Sequence, residues 1–309
     1  MLLGAMAGGA VLLTAPVLFQ GGGGASGAPS ANGLRTVRPG KLTVASIGEM
    51  PLFAVRDGVP IGVEAEMMRR ICKRLDLELV LDVMEWSACL ASVPSGRADC
   101  VGGNMAWTDK RAASMLITDA VYYSAIFAMM RQDQPFHESI AISDLAGHSV
   151  GTVSGFSYVP DLRRVPGTRE VKLYDTTDAT VRDVIAGRLD FAFLDAPIID
   201  YMIQQNSGWG LKQVPLAANR SYPILGEKQH TVWGLGGQNF ALFDAVNQGI
   251  AWLKRTGQTQ EILREYGLTN PAYLEAPTTN IRLGFDRDER GAVIGRFAHA
   301  ATDRARPFD

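Results

Sequence analysis

The sequence predicts an α/β protein built on parallel sheets. Residues 41–101 read as strand, helix, strand, helix and strand, and this order within about 60 residues indicates parallel strands joined by right-handed crossovers. A second run of the same kind begins near residue 140. The chain has 309 residues, of which 47% are hydrophobic, so it is long enough to bury the cores of two domains.

The first run contains a clear amphipathic helix. Residues 63–75 place Met67 and Ile71 on one side and Arg70 and Arg74 on the other, at helical spacing. In the segments around it, apolar and polar residues alternate, or apolar residues follow one another, over lengths typical of β-strands. The predicted elements are a strand at 41–47, the helix at 63–75, a strand at 77–83, a helix at 86–93 and a strand at 98–101.

The second run ends in a nearly continuous apolar strand, LDFAFL. Its predicted elements are strands at 148–153, 171–174 and 189–194 and helices at 177–186 and 196–205. A strand at 231–235 and a helical region at 239–266, broken at Thr256-Gly257, follow. Residues 281–309 carry mixed charges without periodicity, and we interpret them as a peripheral or poorly ordered appendage.

Composition excludes several classes of function. The net charge is −2, from 30 Lys and Arg against 32 Asp and Glu, which leaves no basic field for nucleic acid. The four histidines are scattered, and neither they nor the cysteines have the spacing of metal ligands. We expect small molecules or proteins as partners, with no metal and no cofactor.

The first twenty residues form one apolar run without charge, followed by GGGGASGAPSANG. This layout is typical of an export signal with a linker over residues 1–30, although the usual basic start is missing. Two explanations stay open: a misplaced start codon, or an uncleaved anchor of about 19 residues, near the lower length that spans a bilayer. The segment GAMAGGAVLL also resembles the residues that follow the arginine pair in signals of the twin-arginine export route. Either way we expect an exported protein, and the family resemblance given below implies the periplasm.

Three cysteines, Cys72, Cys89 and Cys100, fall within apolar patterns. An odd number cannot pair fully within one chain, so buried thiols are the first expectation. A bridge between Cys89 and Cys100 stays open as an alternative.

The stretch 98–123 predicts an anion site. Thr108 stands where its hydroxyl would cap a short helix, and Arg111 follows within the first turn. Free backbone N–H groups and the guanidinium would then point at one spot, which suits a carboxylate. The alternative is that Arg111 is a solvated residue of the first turn.

Asp195 directly follows the predicted strand 189–194. An acid just beyond the carboxyl end of a buried strand faces the crevice where open α/β sheets bind ligands. It would also serve as the N-cap of helix 196–205, and the two roles are compatible.

The order of these motifs resembles the periplasmic solute-binding proteins of ABC importers, in the family that captures polar amino acids. The resemblance runs from about residue 41 to 267. The matching pieces are the strand that ends near Pro51, GVEAEMMRRICKRLDL, EWSACLASVPSGRADCVGGNMAWTDKR, LAGHSVGTVSGFS, VIAGRLDFAFLDAP and AVNQGIAWLKRTGQTQEILREYG.

This resemblance implies a type II periplasmic-binding fold, in which two α/β lobes joined by a two-strand hinge close on a ligand. Lobe 1 would comprise residues 41–130 and 226–270, and lobe 2 residues 131–225. Residues 271–309 would form a C-terminal extension. The implied partners are a small zwitterion and an importer permease, with the protein itself a monomer.

The resemblance also implies a set of ligand-binding residues. Arg111 would hold the ligand carboxylate, and Asp195 would hold its amino group. Trp86 stands where the family stacks an aromatic ring, whereas Glu49 replaces the family's second aromatic residue and would favour a basic or amide-bearing ligand. The full set is Glu49, Trp86, Ala106, Thr108, Arg111, Phe156, Ser157 and Asp195.

Two other functions remain as alternatives. Periplasmic cyclohexadienyl dehydratases share this fold, and an acid such as Glu227 would then act in the cleft. A ligand-sensing module for a separate membrane partner is the second alternative. Against an enzyme, the sequence has no GxSxG motif, no P-loop and no clustered metal ligands, so we expect no catalytic residues.

Overall fold

The computed structural model describes residues 33–124, 126–217, 219–222, 224–277, 279–302 and 306–308. The predicted export signal or anchor at 1–30 lies outside these residues. Within the described part of the chain, no helix combines the length and the apolar character needed to cross a bilayer.

Short strands and helices alternate along most of the chain. The strands are β1 (Lys41–Ser46), β2 (Ala54–Arg56), β3 (Val59–Ile61), β4 (Glu78–Val83), β5 (Cys100–Val101), β6 (Leu116–Ile117), β7 (Tyr122–Ser124), β8 (Ile126–Arg131), β9 (Ser149–Val153), β10 (Glu170–Tyr174), β11 (Phe191–Asp195), β12 (Leu211–Pro215), β13 (Gln229–Thr231) and β14 (Gly234–Leu235). The α-helices are α1 (Val63–Arg74), α2 (Trp86–Ser92), α3 (Asp109–Ala112), α4 (Val159–Arg164), α5 (Thr177–Ile185), α6 (Ala196–Gln205), α7 (Phe240–Arg255) and α8 (Gln258–Glu265). Single 3-10 turns lie at Ile142–Leu145, Ser207–Trp209, Pro271–Tyr273, Gly295–Phe297 and Arg306–Phe308.

The first lobe is built on a sheet with the strand order β4-β1-β5-β14-β6. Helix α1 packs on this sheet and against α7 and α8, and its apolar side, including Met67 and Ile71, is buried as the sequence predicts. A Cβ atom on Gly249 of α7 would lie 2.7 Å from the Ile71 side chain. Glycine at this position therefore lets α7 approach α1 closely.

The second lobe is built on a sheet with the order β10-β9-β11-β8-β12. Helices α5 and α6 pack on it. Phe191 and Phe193 of β11 are fully buried, which explains why the sequence of this strand is nearly all apolar.

Both sheets are mixed, whereas the sequence predicts parallel ones. β1 runs parallel to β4 and β5, and β9 runs parallel to β10 and β11, as expected. However, β14 pairs antiparallel with β5 and β6, and β8 pairs antiparallel with β11 and β12. These antiparallel strands follow directly after the segments that cross between the lobes, so they enter their sheets from the opposite end.

Two strands form the hinge between the lobes. β7 pairs antiparallel with β13, with Ser124 opposite Gln229 and Tyr122 opposite Thr231. From β7 the chain passes directly into β8 of the second sheet, and from β13 it returns to β14 of the first. The sequence predicts one strand at 231–235, but the structure divides it, because β13 belongs to the hinge and β14 to the first sheet.

The described part of the C-terminal extension packs on the first lobe. Arg282 and Arg287 are only 3% and 4% exposed, and Phe308 contacts Trp252 with 5.8 Å between ring centroids. From the sequence, residues 281–309 were expected to form either a peripheral or a poorly ordered appendage. Residues 279–302 and 306–308 form a peripheral segment with its own buried contacts.

All three cysteines are free and buried, so the Cys89–Cys100 bridge is not formed. Burial raises the pKa of the Cys72 and Cys89 thiols to about 12. Both therefore remain protonated and weakly reactive at neutral pH.

Candidate ligand-binding cleft

Arg111 is oriented by the chain immediately before it. The Thr108 hydroxyl accepts the Arg111 backbone N–H at 3.2 Å and caps α3, as the sequence predicts. The guanidinium is buried: Nη1 donates to the Ala106 carbonyl at 2.6 Å, and the group lies 5.4 Å from the centroid of the Trp86 ring. Arg111 is therefore not a solvated first-turn residue.

Burial lowers the pKa of Arg111 to about 10, although the nearby Asp195 carboxylate opposes this shift. The guanidinium remains charged at neutral pH. Its hydrogen bonds within the described residues, to Ala106 and to the Gly155 carbonyl at 3.4 Å, use two of its five N–H groups. The others are donors for an anion.

Asp195 ends β11 and precedes α6, but its side chain makes no capping hydrogen bond. Burial raises its pKa to about 7, and the Glu49 and Glu64 carboxylates add to the shift. A hydrogen bond with the Asn104 side chain and the charge of Arg111 oppose it. Asp195 is thus a desolvated carboxyl group whose charge a cation would stabilise.

A narrow cavity lies between the two lobes. Its lining residues are Trp86, Gly103, Asn104, Ala106, Arg111, Phe156, Ser157, Tyr158, Asp195 and Gln229. They come from both lobes and from hinge strand β13.

The lobes touch across this cavity. Trp86 of the first lobe meets Phe156 of the second edge to face, with 6.3 Å between centroids. Gly155 has a φ of +81°, and a Cβ atom there would lie 3.4 Å from the Trp86 ring. Glycine suits this turn because its backbone is left-handed.

Six of the eight predicted site residues line one cavity: Trp86, Ala106, Arg111, Phe156, Ser157 and Asp195. Thr108 is not among the lining residues and serves as the helix cap. Glu49 is also outside the lining, but its charge acts on Asp195. Glu227, the acid considered for an enzyme, is not among the lining residues either.

Glu49 is a partly buried residue of the first lobe, and its carboxyl group faces the second. Its carboxyl group lies near the Thr177 side chain, and its Oε2 atom is buried without a hydrogen-bond partner among the described residues. Burial raises its pKa to about 7, and the charges of Asp178 and Glu85 contribute to the shift.

The sequence did not single out Asn104, which connects the hinge to the cleft. Its Oδ1 accepts the Thr231 hydroxyl at 3.0 Å, and its side chain lies near Asp195, whose pKa it lowers. Its φ of +51° is left-handed, a conformation that asparagine tolerates better than most residues. A Gly-Gly-Asn sequence after a predicted strand was the available signal.

Glu64 was also missed, and it holds the loop that carries Asn104. This fully buried carboxylate accepts the backbone N–H groups of Gly103 at 2.9 Å and Asn104 at 2.6 Å. It also accepts Tyr122 Oη at 2.9 Å and Trp233 Nε1 at 2.7 Å. Burial raises its pKa, and these four donors oppose the shift.

We expect Glu64→Ala to lower the free energy of unfolding by at least about 3 kcal/mol, because each buried donor left unpaired costs about 1–3 kcal/mol. Glu78→Ala is the matched control: Glu78 is an exposed acid paired with Lys41, and its loss should cost less than about 1 kcal/mol. Urea denaturation of the unliganded variants measures both. Equal losses would show that the Glu64 network contributes little.

Within the described residues, no group of three or more His, Cys, Asp or Glu side chains is arranged to hold a metal ion. Separately, the cavity brings the buried guanidinium of Arg111 and the partly buried carboxyl group of Asp195 together.

Two lobes joined by paired hinge strands, with opposite charges facing one cavity, define a protein that holds a small ligand between its lobes. The chain belongs to the bacterial extracellular solute-binding proteins, family 3, whose model matches residues 42–269.

Individual relatives agree with this membership. The probable amino-acid-binding protein YxeM of Bacillus subtilis (strain 168) is 24% identical over 228 residues, which are 73% of this chain and 83% of that protein. The L-cystine-binding protein TcyJ of Escherichia coli (strain K12) is 26% identical over 232 residues, 74% of this chain and 82% of the relative. The solved structure of the amino acid ABC transporter substrate-binding protein AbpA from Streptococcus pneumoniae, bound to L-arginine, has a TM-score of 0.64 at 22% identity. That alignment covers 77% of this chain and 97% of AbpA, and it shows a shared fold.

Proposed function

We propose that this protein binds the zwitterion of a polar amino acid between its lobes, outside the cytoplasm, and delivers it to the permease of an ABC importer. The observation that carries the proposal is that Arg111 and Asp195 line one small cavity from opposite lobes. The relatives named as amino-acid-binding and L-cystine-binding proteins support the same class of ligand.

The two charged residues match the two ends of an amino acid. The free N–H groups of Arg111 would hold the carboxylate, and Asp195 would hold the amino group. Each charge-assisted hydrogen bond contributes about 1.5–3 kcal/mol. Several of them supply much of the ~8 kcal/mol that micromolar affinity requires.

The remaining lining residues would complete the site. Ser157 would add a hydrogen bond from the second lobe, while Thr108 acts on the ligand through the Arg111 that it orients. Trp86 and Phe156 would contact the ligand with their rings, and Ala106 keeps the wall beside Arg111 small.

Glu49 would select the ligand side chain. Its unpartnered oxygen is a buried acceptor, and its charge already acts on Asp195. A second cation or an amide N–H on the ligand would satisfy that oxygen. We therefore favour amino acids with basic or amide side chains as ligands. We propose that the protein binds them as a monomer and has no catalytic activity.

A thermal-shift panel of the twenty amino acids and cystine tests the proposal. A ligand present at about a thousand times its Kd stabilises the folded state by roughly 4 kcal/mol, which raises the melting temperature by several degrees. We expect the largest shifts with arginine, lysine, histidine, glutamine or cystine. A panel in which no zwitterion shifts the melting temperature would contradict the amino-acid assignment, and turnover of prephenate or arogenate would favour an enzyme instead.

A further inference from the structure

The C-terminal extension contacts the segment that carries Arg111. The family match ends at residue 269, so the extension lies beyond the part of the chain that the family model describes. Its described residues nevertheless reach both ends of α3 and the strand that follows it.

Helix α3 cannot hold its own position. It has four residues, whereas isolated helices shorter than about 12–15 residues are marginal in water. The direction of the Arg111 guanidinium therefore depends on contacts made outside the helix.

The extension supplies such contacts on both sides of α3. On the N-terminal side, Trp107 Nε1 donates to Asp286 Oδ2 at 3.2 Å, and the Trp107 ring meets Phe285 edge to face at 5.6 Å. On the C-terminal side, Arg296 Nη1 donates to the Ala113 carbonyl at 3.0 Å. Residues of the C-terminal extension thus contact the chain on both sides of α3.

Asp286 is itself held rigidly. Arg282 binds both of its carboxylate oxygens, at 3.1 Å and 2.8 Å, and Arg287 Nη1 contacts Oδ2 at 3.3 Å. Both arginines also donate to the Ile117 carbonyl, and Arg282 reaches that of Thr118 at 2.7 Å. These carbonyls lie at edge strand β6, so the buried ion cluster anchors the extension to the lobe 1 sheet.

We propose that the C-terminal extension positions the anion-binding arginine: Asp286 holds Trp107, and Trp107 holds its two neighbours, which orient Arg111. Those neighbours are Ala106, whose carbonyl accepts the guanidinium, and Thr108, whose hydroxyl caps the helix. Asp286 and Trp107 are positioning residues, and their assumed effect on ligand affinity rests on the amino-acid function proposed above.

The first test needs no ligand. Trp107→Phe removes the indole donor together with part of the ring and leaves Asp286 bound to both arginines. Asp286→Asn weakens the same contact from the other side and also removes the charge that both arginines bind. In the full chain we expect hydrogen exchange of the amides at 108–115 to become up to about tenfold faster in both variants, the upper end of the net effect of one hydrogen bond.

Arg74→Gln is the matched control, because Arg74 donates to the Pro307 carbonyl and so also contacts the extension, but on the side of α1. Exchange at 108–115 should stay at the wild-type rate in this variant. If Trp107→Phe and Asp286→Asn also exchange at the wild-type rate, the positioning role is overturned.

The second test separates positioning from general stability. Calorimetry compares L-arginine with agmatine, and L-histidine with histamine, since each amine lacks the carboxylate that Arg111 would bind. We expect the preference for the amino acid over its amine to fall about tenfold in both variants and to stay unchanged in Arg74→Gln.

An equal loss of affinity for the amino acid and its amine would contradict positioning of Arg111. If the wild-type protein binds no amino acid but exchange at 108–115 still accelerates in both variants, the positioning role stands and the amino-acid function fails.

Discussion

Arg111→Ala should abolish amino-acid binding at concentrations that saturate the wild-type protein. Arg111 is the cation that lines the cavity, and the variant would leave the ligand carboxylate desolvated without a partner. We expect a loss of at least about a hundredfold in affinity, corresponding to about 3 kcal/mol, the upper range for a hydrogen bond to a charged group. Isothermal titration with the amino acid that gives the largest thermal shift measures the effect.

Arg111→Lys provides an informative comparison. It keeps the charge but loses the planar fork, so it should recover only part of the affinity. Lys110→Ala, one residue away on the exposed side of α3, is the control and should bind like the wild-type protein. A melting temperature of unliganded Arg111→Ala far below that of the wild-type protein would instead indicate that Arg111 is a structural residue.

Asp195→Asn should have the second largest effect on ligand binding. It should make the unliganded protein more stable at pH 8 while it weakens the binding of the ligand. The pKa of Asp195 is raised to about 7, chiefly by burial, so the folded state binds this proton more tightly than the unfolded state does. The contribution of Asp195 to stability is therefore greatest at low pH and falls as the pH rises from about 4 to about 7. A neutral asparagine avoids this loss, so the unliganded variant should be more stable than the wild-type protein at pH 8.

Ligand affinity should change in the opposite direction with pH. Only the ionised Asp195 binds an ammonium group, so wild-type affinity should fall by up to about tenfold per pH unit below 7. In Asp195→Asn the affinity at pH 8 should fall at least about tenfold, and its dependence on pH should become weaker. Glu49, whose pKa is also about 7, would account for the remaining dependence.

Melting curves and titrations between pH 5 and pH 8 check both effects on the same samples. If the unliganded variant is less stable than the wild-type protein at every pH, Asp195 has a structural role. An unchanged affinity at pH 8 would exclude it as the group that holds the amine.

Local patterns in the sequence were enough to predict the framework and part of the site. The spacing of apolar residues in 63–75 predicts α1, and Thr108 followed by Arg111 predicts a capped turn that carries a cation. The position of Asp195 after an apolar strand predicts that it faces the crevice. Each of these features depends on residues close together in the chain.

The features that the sequence did not reveal depend on distant contacts. The four donors to Glu64 are 39 to 169 residues away along the chain, so nothing near Glu64 indicates that it is buried. Arg282 and Arg287 appear in the sequence as solvated charges, because their partners Ile117 and Thr118 precede them by about 165 residues. The antiparallel strands depend likewise on how the chain crosses the hinge.

We propose that Arg111 and Asp195 hold the two ends of one zwitterion between them. Isothermal titration of the wild-type protein with the best amino acid of the panel, its methyl ester and its N-acetyl derivative tests this claim most directly. We expect the amino acid to bind with at least micromolar affinity and each derivative to bind at least about a hundredfold more weakly, since each leaves one buried charge unpaired. Equal affinity for the amino acid and either derivative would contradict the claim.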